Sequence, residues 1–535
     1  LIKSFFLDQH GCAKNQVDGE LLIGILTDRG WQRIGEPERA DLIIINSCGF
    51  IEPAKRESIE AVVTARAAYP KAKILLAGCL AERYGEVFKI EFEEADAFFG
   101  NGDLSQLPIL IDELFPDTLP AKNQPPLSGG KKKPTAENAS AAPEPKRYRL
   151  KNSAAQKSRL FLKPAQEGVC CGARPELLNF PGSAFIKITE GCNNCCTFCA
   201  IPLIRGAVRS RPVSDIIDEI RSFIRRGYKE FNLIGQDLAV YEALPALPDK
   251  LPKAPRLSCS IEMTDTAELA GSKREIPQAG LSGLAQLLKA ISALEGQFTV
   301  RLLYIHPDHF PLDILPVMIA DTRFLPYFDI PFQSGSEPVI RAMNRCGSAK
   351  SYLQLVETIR AAFRKAESPY GEAVIRTTFL TGFPGETQED FERTAAFLQD
   401  VQSLWSGTFT YSQEEGTKAA VMKKKVPAKT AEQRKAALNK LQLGITLKKL
   451  SSFCGRQTNV LIEELIPPSG KAEGVEERRI ALGRAWFQAP EVDGAIVVHF
   501  SEAQKDSEGK PITAGSLVRV RITALRGIDL EADAL

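Results

Sequence analysis

Up to about residue 116, short apolar runs alternate with segments whose apolar residues recur every three to four positions. "IKSFFL" reads as a strand and "QVDGELLIGILTDRG" as an amphipathic helix ending at Gly30. "ADLIIINSC" is a buried strand, "SIEAVVTARAA" a second helix and "AKILLAGC" a third strand. This βαβαβ series predicts a three-layer domain with a parallel sheet over 1–116. The rhythm stops over 117–181, where "PAKNQPPLSGGKKKPTAENASAAPEPK" is rich in Pro, Ala, Lys and Ser and is expected to be a low-complexity linker. It resumes over 182–452 with "SAFIKITEG", "SDIIDEIRSFIRRG" (Ser214 the expected N-cap), "FNLIGQD", "LSGLAQLLKAIS", "QFTVRLLYIHP", "YFDIPFQSGS" and "AVIRTTFLTGFPGE". Repeated βα units predict a full or partial (β/α) barrel, interrupted by an inserted surface loop at 245–280. After the long helix "AEQRKAALNKLQLGITLKKLSSF", four short β-rich segments over 453–535 predict a small closed β-barrel. The fold class is α/β.

At 535 residues the chain is too long for one core. Its net charge of +2 gives no global pull toward nucleic acid or membrane, and no apolar run approaches the roughly 20 residues of a spanning helix. "LIKSFFLDQHGC" lacks the h-region and cleavage site of a signal peptide, so a cytoplasmic protein with no membrane partner is expected. The first residue is Leu rather than Met, as in a trimmed sequence or one with a non-standard start codon. In the cytosol, clustered cysteines favour metal or redox chemistry over disulfides.

Two cysteine constellations carry that chemistry. Cys192, Cys196 and Cys199 form C-x3-C-x2-C after the strand "FIKIT", and Cys195 sits inside the motif as a bystander. Three thiolates leave one metal position open, as a reactive site requires. A zinc knuckle is the blander alternative, but no second C-x2-C or C/H pair stands nearby. Cys12, Cys48 and Cys79 each follow one of the three N-terminal strands, beside Gly11, Gly49 and Gly78. Parallel strands share one C-terminal edge, so these three converge though distant in sequence.

The first triad, with Phe198 before its last cysteine, resembles the radical S-adenosylmethionine superfamily. Both triads together with a terminal β-barrel resemble the methylthiotransferase family. "GCAKNQVD", "NSCGFIEPAKRESI", "FDIP" and "AWFQAPEVDG" look like its ribosomal protein S-twelve branch. The resemblance implies an N-terminal cluster domain, a radical core and an RNA- or protein-binding barrel called TRAM. It implies two 4Fe-4S clusters, on Cys12, Cys48 and Cys79 and on Cys192, Cys196 and Cys199. Two molecules of S-adenosylmethionine are implied, one a methyl donor and one the source of a 5′-deoxyadenosyl radical. The implied reaction adds a methylthio group to the β-carbon of an aspartate in ribosomal protein S-twelve, on the small ribosomal subunit, with an external electron donor.

"QSGS" at 333–336 is more familiar in the transfer-RNA branch, so methylthiolation of a tRNA adenosine is the alternative. A non-catalytic RNA-binding protein holding structural zinc is the alternative of another class. Phe198 is expected beside the cofactor. Gln236 and Asp237 end a strand, where they either contact the cofactor's methionine or ribose or cap the loop. Arg376, a charge on an apolar strand, is expected to pair the cofactor's carboxylate. "GFPGET" reads first as a tight turn, and His306 and His309 as pocket or structural groups. The basic stretches at 131–133 and 423–435 and the alternating "RVRIT" read first as solvated surface.

Overall fold

The computed structural model describes residues 2–116, 159–243, 280–467 and 479–535. Strands β1 (Ser4–Gln9), β2 (Gln32–Arg33), β3 (Leu42–Ser47), β4 (Lys73–Gly78), β5 (Ala97–Phe99) and β6 (Leu160–Leu162) form one parallel sheet, ordered β2-β1-β3-β4-β5-β6. Helices α1 (Ala13–Asp28), α2 (Glu52–Ala68), α3 (Cys79–Glu91) and α4 (Leu107–Leu114) cover it. Val17, Leu21 and Leu22 of α1 and Leu107 and Ile111 of α4 bury one face of the sheet. Val62 of α2 and Leu80 and Ala81 of α3 bury the other. The result is three layers, because both sheet faces are apolar and each needs a cover.

The expected linker at 117–181 needs correcting at its C-terminal end. Residues 117–158, which include the Lys run at 131–133, lie outside the described residues. From Arg159 onward the chain belongs to the fold: Phe161 pairs with Phe98 as β6 joins the sheet edge. Arg174 then ties α1 to the next domain, pairing Glu20 at 2.7 Å and Glu219 at 2.9 Å. A three-residue strand beside a low-complexity run leaves too little pattern to be seen in advance.

The second domain starts with β7 (Ser183–Lys187) and a small hairpin of β8 (Thr189–Glu190) with β9 (Arg209–Ser210). Strands β10 (Glu230–Ile234), β11 (Thr299–Leu302), β12 (Phe324–Asp329), β13 (Val374–Thr381) and β14 (Trp405–Thr410) complete a six-stranded parallel sheet, ordered β14-β13-β12-β11-β10-β7. Its two edges do not pair, so this is a partial barrel. Helices α5 (Ile201–Arg205), α6 (Val213–Arg225), α7 (Gly283–Ser292), α8 (Ile314–Ala320), α9 (Glu337–Ala342), α10 (Ala349–Lys365), α11 (Gln388–Val401) and α12 (Ala428–Ser451) accompany it. Pro212, not Ser214, caps α6; Ser214 lies in the first turn and its hydroxyl donates to Asp215. The inserted loop expected at 245–280 lies almost wholly outside the described residues.

The C-terminal domain is a closed barrel of β15 (Gln457–Ile466), β16 (Arg479–Arg484), β17 (Ile496–Phe500), β18 (Leu517–Arg526) and β19 (Asp529–Ala534). The fifth strand, "DLEADA", is half acidic, which hides its alternation. Arg519 and Arg521 face outward from β18. The segment 485–494, "AWFQAPEVDG", leaves this barrel and covers the end of the partial barrel where its strands begin. Trp405 donates its indole N–H to the Phe487 carbonyl at 2.7 Å, and the Tyr327 hydroxyl donates to Asp493 at 2.6 Å. Arg301 donates to the Trp486 carbonyl at 3.1 Å.

Glu230, at the start of β10, pairs with both Arg301 and Arg484 in this joint. Burial opposes its charge, but the two guanidiniums outweigh that and hold the carboxyl well below its usual range. Glu230→Ala strands buried Arg301 and leaves Arg484 with Glu463 alone, and is expected to destabilise the protein by about 3–5 kcal/mol, read by thermal unfolding. Because the folded pKa is depressed, the wild-type contribution is complete above the unfolded value of about 4.3 and is lost as pH falls toward the folded one.

Candidate functional site

Three of the connections from strand to helix in the first sheet carry its cysteines. Cys12 is the N-cap of α1, Cys48 follows β3, and Cys79 is the first residue of α3. Helix N-termini favour negative charge and lower the cost of a thiolate. Gly11 and Gly78 adopt φ of +89° and +91°, a conformation that side chains resist. A Cβ on Gly11 would meet Cys48 Cβ at 3.1 Å, and one on Gly49 would meet the Cys79 carbonyl oxygen at 2.6 Å. The backbone is therefore drawn in around the thiols. Arg205 donates to Cys79 Sγ at 3.2 Å and Asn101 at 3.4 Å. Burial pushes the Cys48 thiol up to about 12, with Cys79 adding to it, and burial also raises Cys79.

Cys192, Cys196 and Cys199 lie on the loop between β8 and α5. This loop is fastened at several points. Cys192 N–H donates to the Gly206 carbonyl at 3.1 Å, Thr197 N–H to the Met343 carbonyl at 3.1 Å, and the Thr197 hydroxyl to the Ala342 carbonyl at 2.9 Å. Asn194 donates its amide to Asp237 at 2.8 Å. Cys195, which the sequence sets aside, has φ of +49°, and its carbonyl accepts from Asn344 at 3.2 Å. Burial pushes Cys199 up to about 12 and Cys192 to about 11. No three His, Cys, Asp or Glu side chains among the described residues are arranged to grip a single metal ion. A four-iron cube meets its thiolates at separate corners, so the donor set and the drawn-in backbone suit that larger group.

The two cysteine-bearing segments meet at one point. Cys79 shares one small apolar cluster with Ala200 and Ile204, directly beyond Cys199, and with Phe50, just after Cys48. Around it lies a buried network of four charges. Lys187 Nζ sits 2.5 Å from Asp18 and 2.6 Å from Glu190, while Arg205 Nη1 lies 2.7 Å from each of the same two carboxylates. Burial opposes ionisation of Glu190, yet Arg205 and Lys187 hold its carboxyl far below the usual range. On the outer side, Glu414 of the "YSQEEGT" loop pairs with Arg83 at 2.6 Å and with Lys55 at 3.1 Å, clamping α2 and α3 to the second domain.

Residues 4–100 match Uncharacterized protein family UPF0004, residues 186–398 the Radical SAM superfamily, and residues 454–535 the TRAM domain. A ribosomal protein uS12 methylthiotransferase RimO from Treponema denticola is 53% identical over 529 residues, covering 99% of this chain and 100% of that protein. The chain belongs to the uS12 methylthiotransferase family. The protein of that name from Aquifex aeolicus is 33% identical, over 97% of this chain and 94% of its own length. Among solved structures, the radical S-adenosylmethionine methyltransferase TsrM from Kitasatospora setae aligns with a TM-score of 0.47 and 11% identity, covering 76% of this chain and 73% of that one.

The other residues singled out in this methylthiotransferase divide. Gln236 donates to Glu190 at 3.2 Å, while its carbonyl oxygen is buried without a partner among the described residues. Asp237 is fully used: it accepts from Asn194, from the backbone N–H of Ala239 and His306, and contacts His309 Nε2 at 2.6 Å. It fastens the cysteine loop and has no free edge for a cofactor. Arg376 also departs from expectation, because it pairs with Asp329 at 3.2 Å and with Asp493 of the C-terminal domain at 3.5 Å. Phe198 packs with Val339, Met343, Leu380 and Phe383. His306 and His309 stack at 4.8 Å; burial pushes His306 down to about 3, and its Nε2 has no partner among the described residues. "GFPGET" closes on itself as a turn, with Glu386 accepting from Gly382 N–H at 2.6 Å.

Asp18, Lys187, Glu190 and Arg205 were not anticipated, although a lysine in the apolar run "AFIKIT" was the available signal. Asp237→Ala leaves its donors unpaired. It is expected to cost about 1–3 kcal/mol in thermal unfolding, because the tie from Asn194 of the cysteine loop to His309 is lost.

Proposed function

We propose that this chain adds a methylthio group to the β-carbon of an aspartate in ribosomal protein uS12, using two 4Fe-4S clusters and S-adenosylmethionine. The observation that carries this reading is the packing of Cys79 against the segment directly beyond Cys199, so that two open three-thiol sites share one seam. Cys192, Cys196 and Cys199 would hold one cluster, and Cys12, Cys48 and Cys79 the other. When bound, the first supplies the electron that cleaves the sulfonium of S-adenosylmethionine and the second supplies the sulfur.

The chain's own residues set the geometry around these groups. Arg205 and Asn101 donate to Cys79 Sγ and favour negative charge there. The unpartnered Gln236 carbonyl oxygen and His306 Nε2 would meet polar groups of S-adenosylmethionine, and the apolar cluster of Phe198, Met343 and Phe383 would exclude water beside it. The "QSGS" run, on which the tRNA alternative rests, is occupied by packing. The Ser334 hydroxyl contacts Thr394 at 3.1 Å, Ser336 donates to Asp390 at 2.5 Å, and Gly335 lies against Phe397. Its two serines and its glycine are therefore engaged within the fold. The outward Arg519 and Arg521 of the TRAM barrel would meet ribosomal RNA beside uS12 on the small subunit. An external electron donor and a cytoplasmic setting complete the reading; among the described residues no helix is long and apolar enough to cross a membrane.

The test is anaerobic reconstitution followed by separate incubation with uS12 and with tRNA. A methylthio mass increment on an aspartate of uS12 alone is expected; an increment on tRNA alone would replace this reading with its alternative. Iron should be about eight per chain, falling by about four in a triple alanine variant of either cysteine set. Cys192→Ala should abolish cleavage of S-adenosylmethionine.

A further inference from the structure

The buried cations along the seam between the first two domains are matched with carboxylates. Lys187 and Arg205 share Asp18 and Glu190, Arg174 has Glu20 and Glu219, and Arg376 has Asp329 and Asp493. Lys14 differs. It is only 7% exposed, and among the described residues no carboxylate pairs with it and no hydrogen bond satisfies it. Its ammonium rests on the face of the Tyr304 ring, 3.1 Å from the centroid. A cation on an aromatic face recovers only part of the hydration it has lost. The Tyr304 hydroxyl likewise has no hydrogen-bond partner among the described residues.

Position gives this unmatched charge a meaning. Lys14 lies in the first turn of α1, two residues after Cys12, and its side chain crosses the seam to reach Tyr304, just beyond β11. Tyr304 holds φ of +70°, a strained backbone for a non-glycine residue, and its carbonyl accepts from Leu238 N–H at 3.0 Å. The backbone that carries the ring is thus held within the radical domain, and the ammonium comes from the cluster domain. Cys12 lies close enough to interact electrostatically with both partners of this contact.

We propose that Lys14, held on Tyr304, is the receptor for the side-chain carboxylate of the substrate residue. The proposal rests on the aspartate reading of the substrate. An aspartate carboxylate completes the missing ion pair, and the β-carbon lies one bond from the carboxylate carbon, so anchoring one positions the other. A tRNA adenine brings no carboxylate and would leave the ammonium without an ion pair. A site built for a charged partner rejects an analogue without it more strongly than an apolar pocket does.

The experiment compares reconstituted wild type and Lys14→Met on uS12 and on a uS12 variant whose acceptor aspartate is replaced by asparagine. Wild type is expected to prefer the aspartate protein by at least about 30-fold in kcat/KM, and Lys14→Met to lose that preference to within about 3-fold. The loss should fall on the aspartate substrate, with KM raised. Retention of the preference in Lys14→Met overturns the proposal. The substrate swap on wild type is decisive even if the variant folds poorly, since equal use of asparagine and aspartate also overturns it. If wild type modifies neither protein, the functional reading itself has failed.

Discussion

Four buried charges set the relation between the two domains that carry the cysteines. Asp18 comes from α1, Lys187 from β7, Glu190 from β8 and Arg205 from α5, so the network spans the seam with two residues of each sign. Loss of any one member would leave a charge in a medium that cannot solvate it. Directional pairing of this kind fixes α1 against β7 in position and in rotation. The second nitrogen of Arg205 then reaches Cys79, so the element that aligns the domains also touches one of the proposed ligands.

The partial barrel has two ends, and the chain treats them differently. The end where the strands begin is closed by residues 485–494 of the third domain, through Trp405, Arg301, Tyr327 and Arg376. The end where they finish faces the cluster domain. In a parallel α/β fold the chemistry sits at that second end. Arg376 belongs to the closing of the first. Its pairing with Asp493 gives the TRAM domain a structural task beyond any contact with RNA.

The N-terminal cysteine positions were legible because they follow from topology alone: parallel strands end on one edge, and Cys12, Cys48 and Cys79 each lie within three residues of a strand end. Strong alternation likewise made most strands and helices visible. Elements built from short or polar runs were not. Leu160–Leu162 is three residues long, Trp405–Thr410 is two-thirds Ser, Gly and Thr, and Asp529–Ala534 is half acidic. Partners chosen across domains were hidden for another reason. Nothing near Arg376 in sequence indicates that its carboxylate lies more than a hundred residues away, at Asp493. The Asp237 side chain was placed at the right strand end, but its role as a tie depended on Asn194 and His309, which only the folded chain brings together.

A seam held by charge rather than by apolar packing has a consequence for chemistry. Apolar side chains of similar volume often stabilise a buried site as well as ion pairs do, but their contacts are not directional and tolerate sliding. Transfer between two metal sites does not tolerate sliding, since displacement of about 1 Å is enough to lose much of a reaction's rate. Arg205 placed 2.7 Å from two carboxylates of different domains admits one arrangement of those domains. The desolvation cost of the network is thereby spent on register, and register is what a reaction between two separately held groups requires.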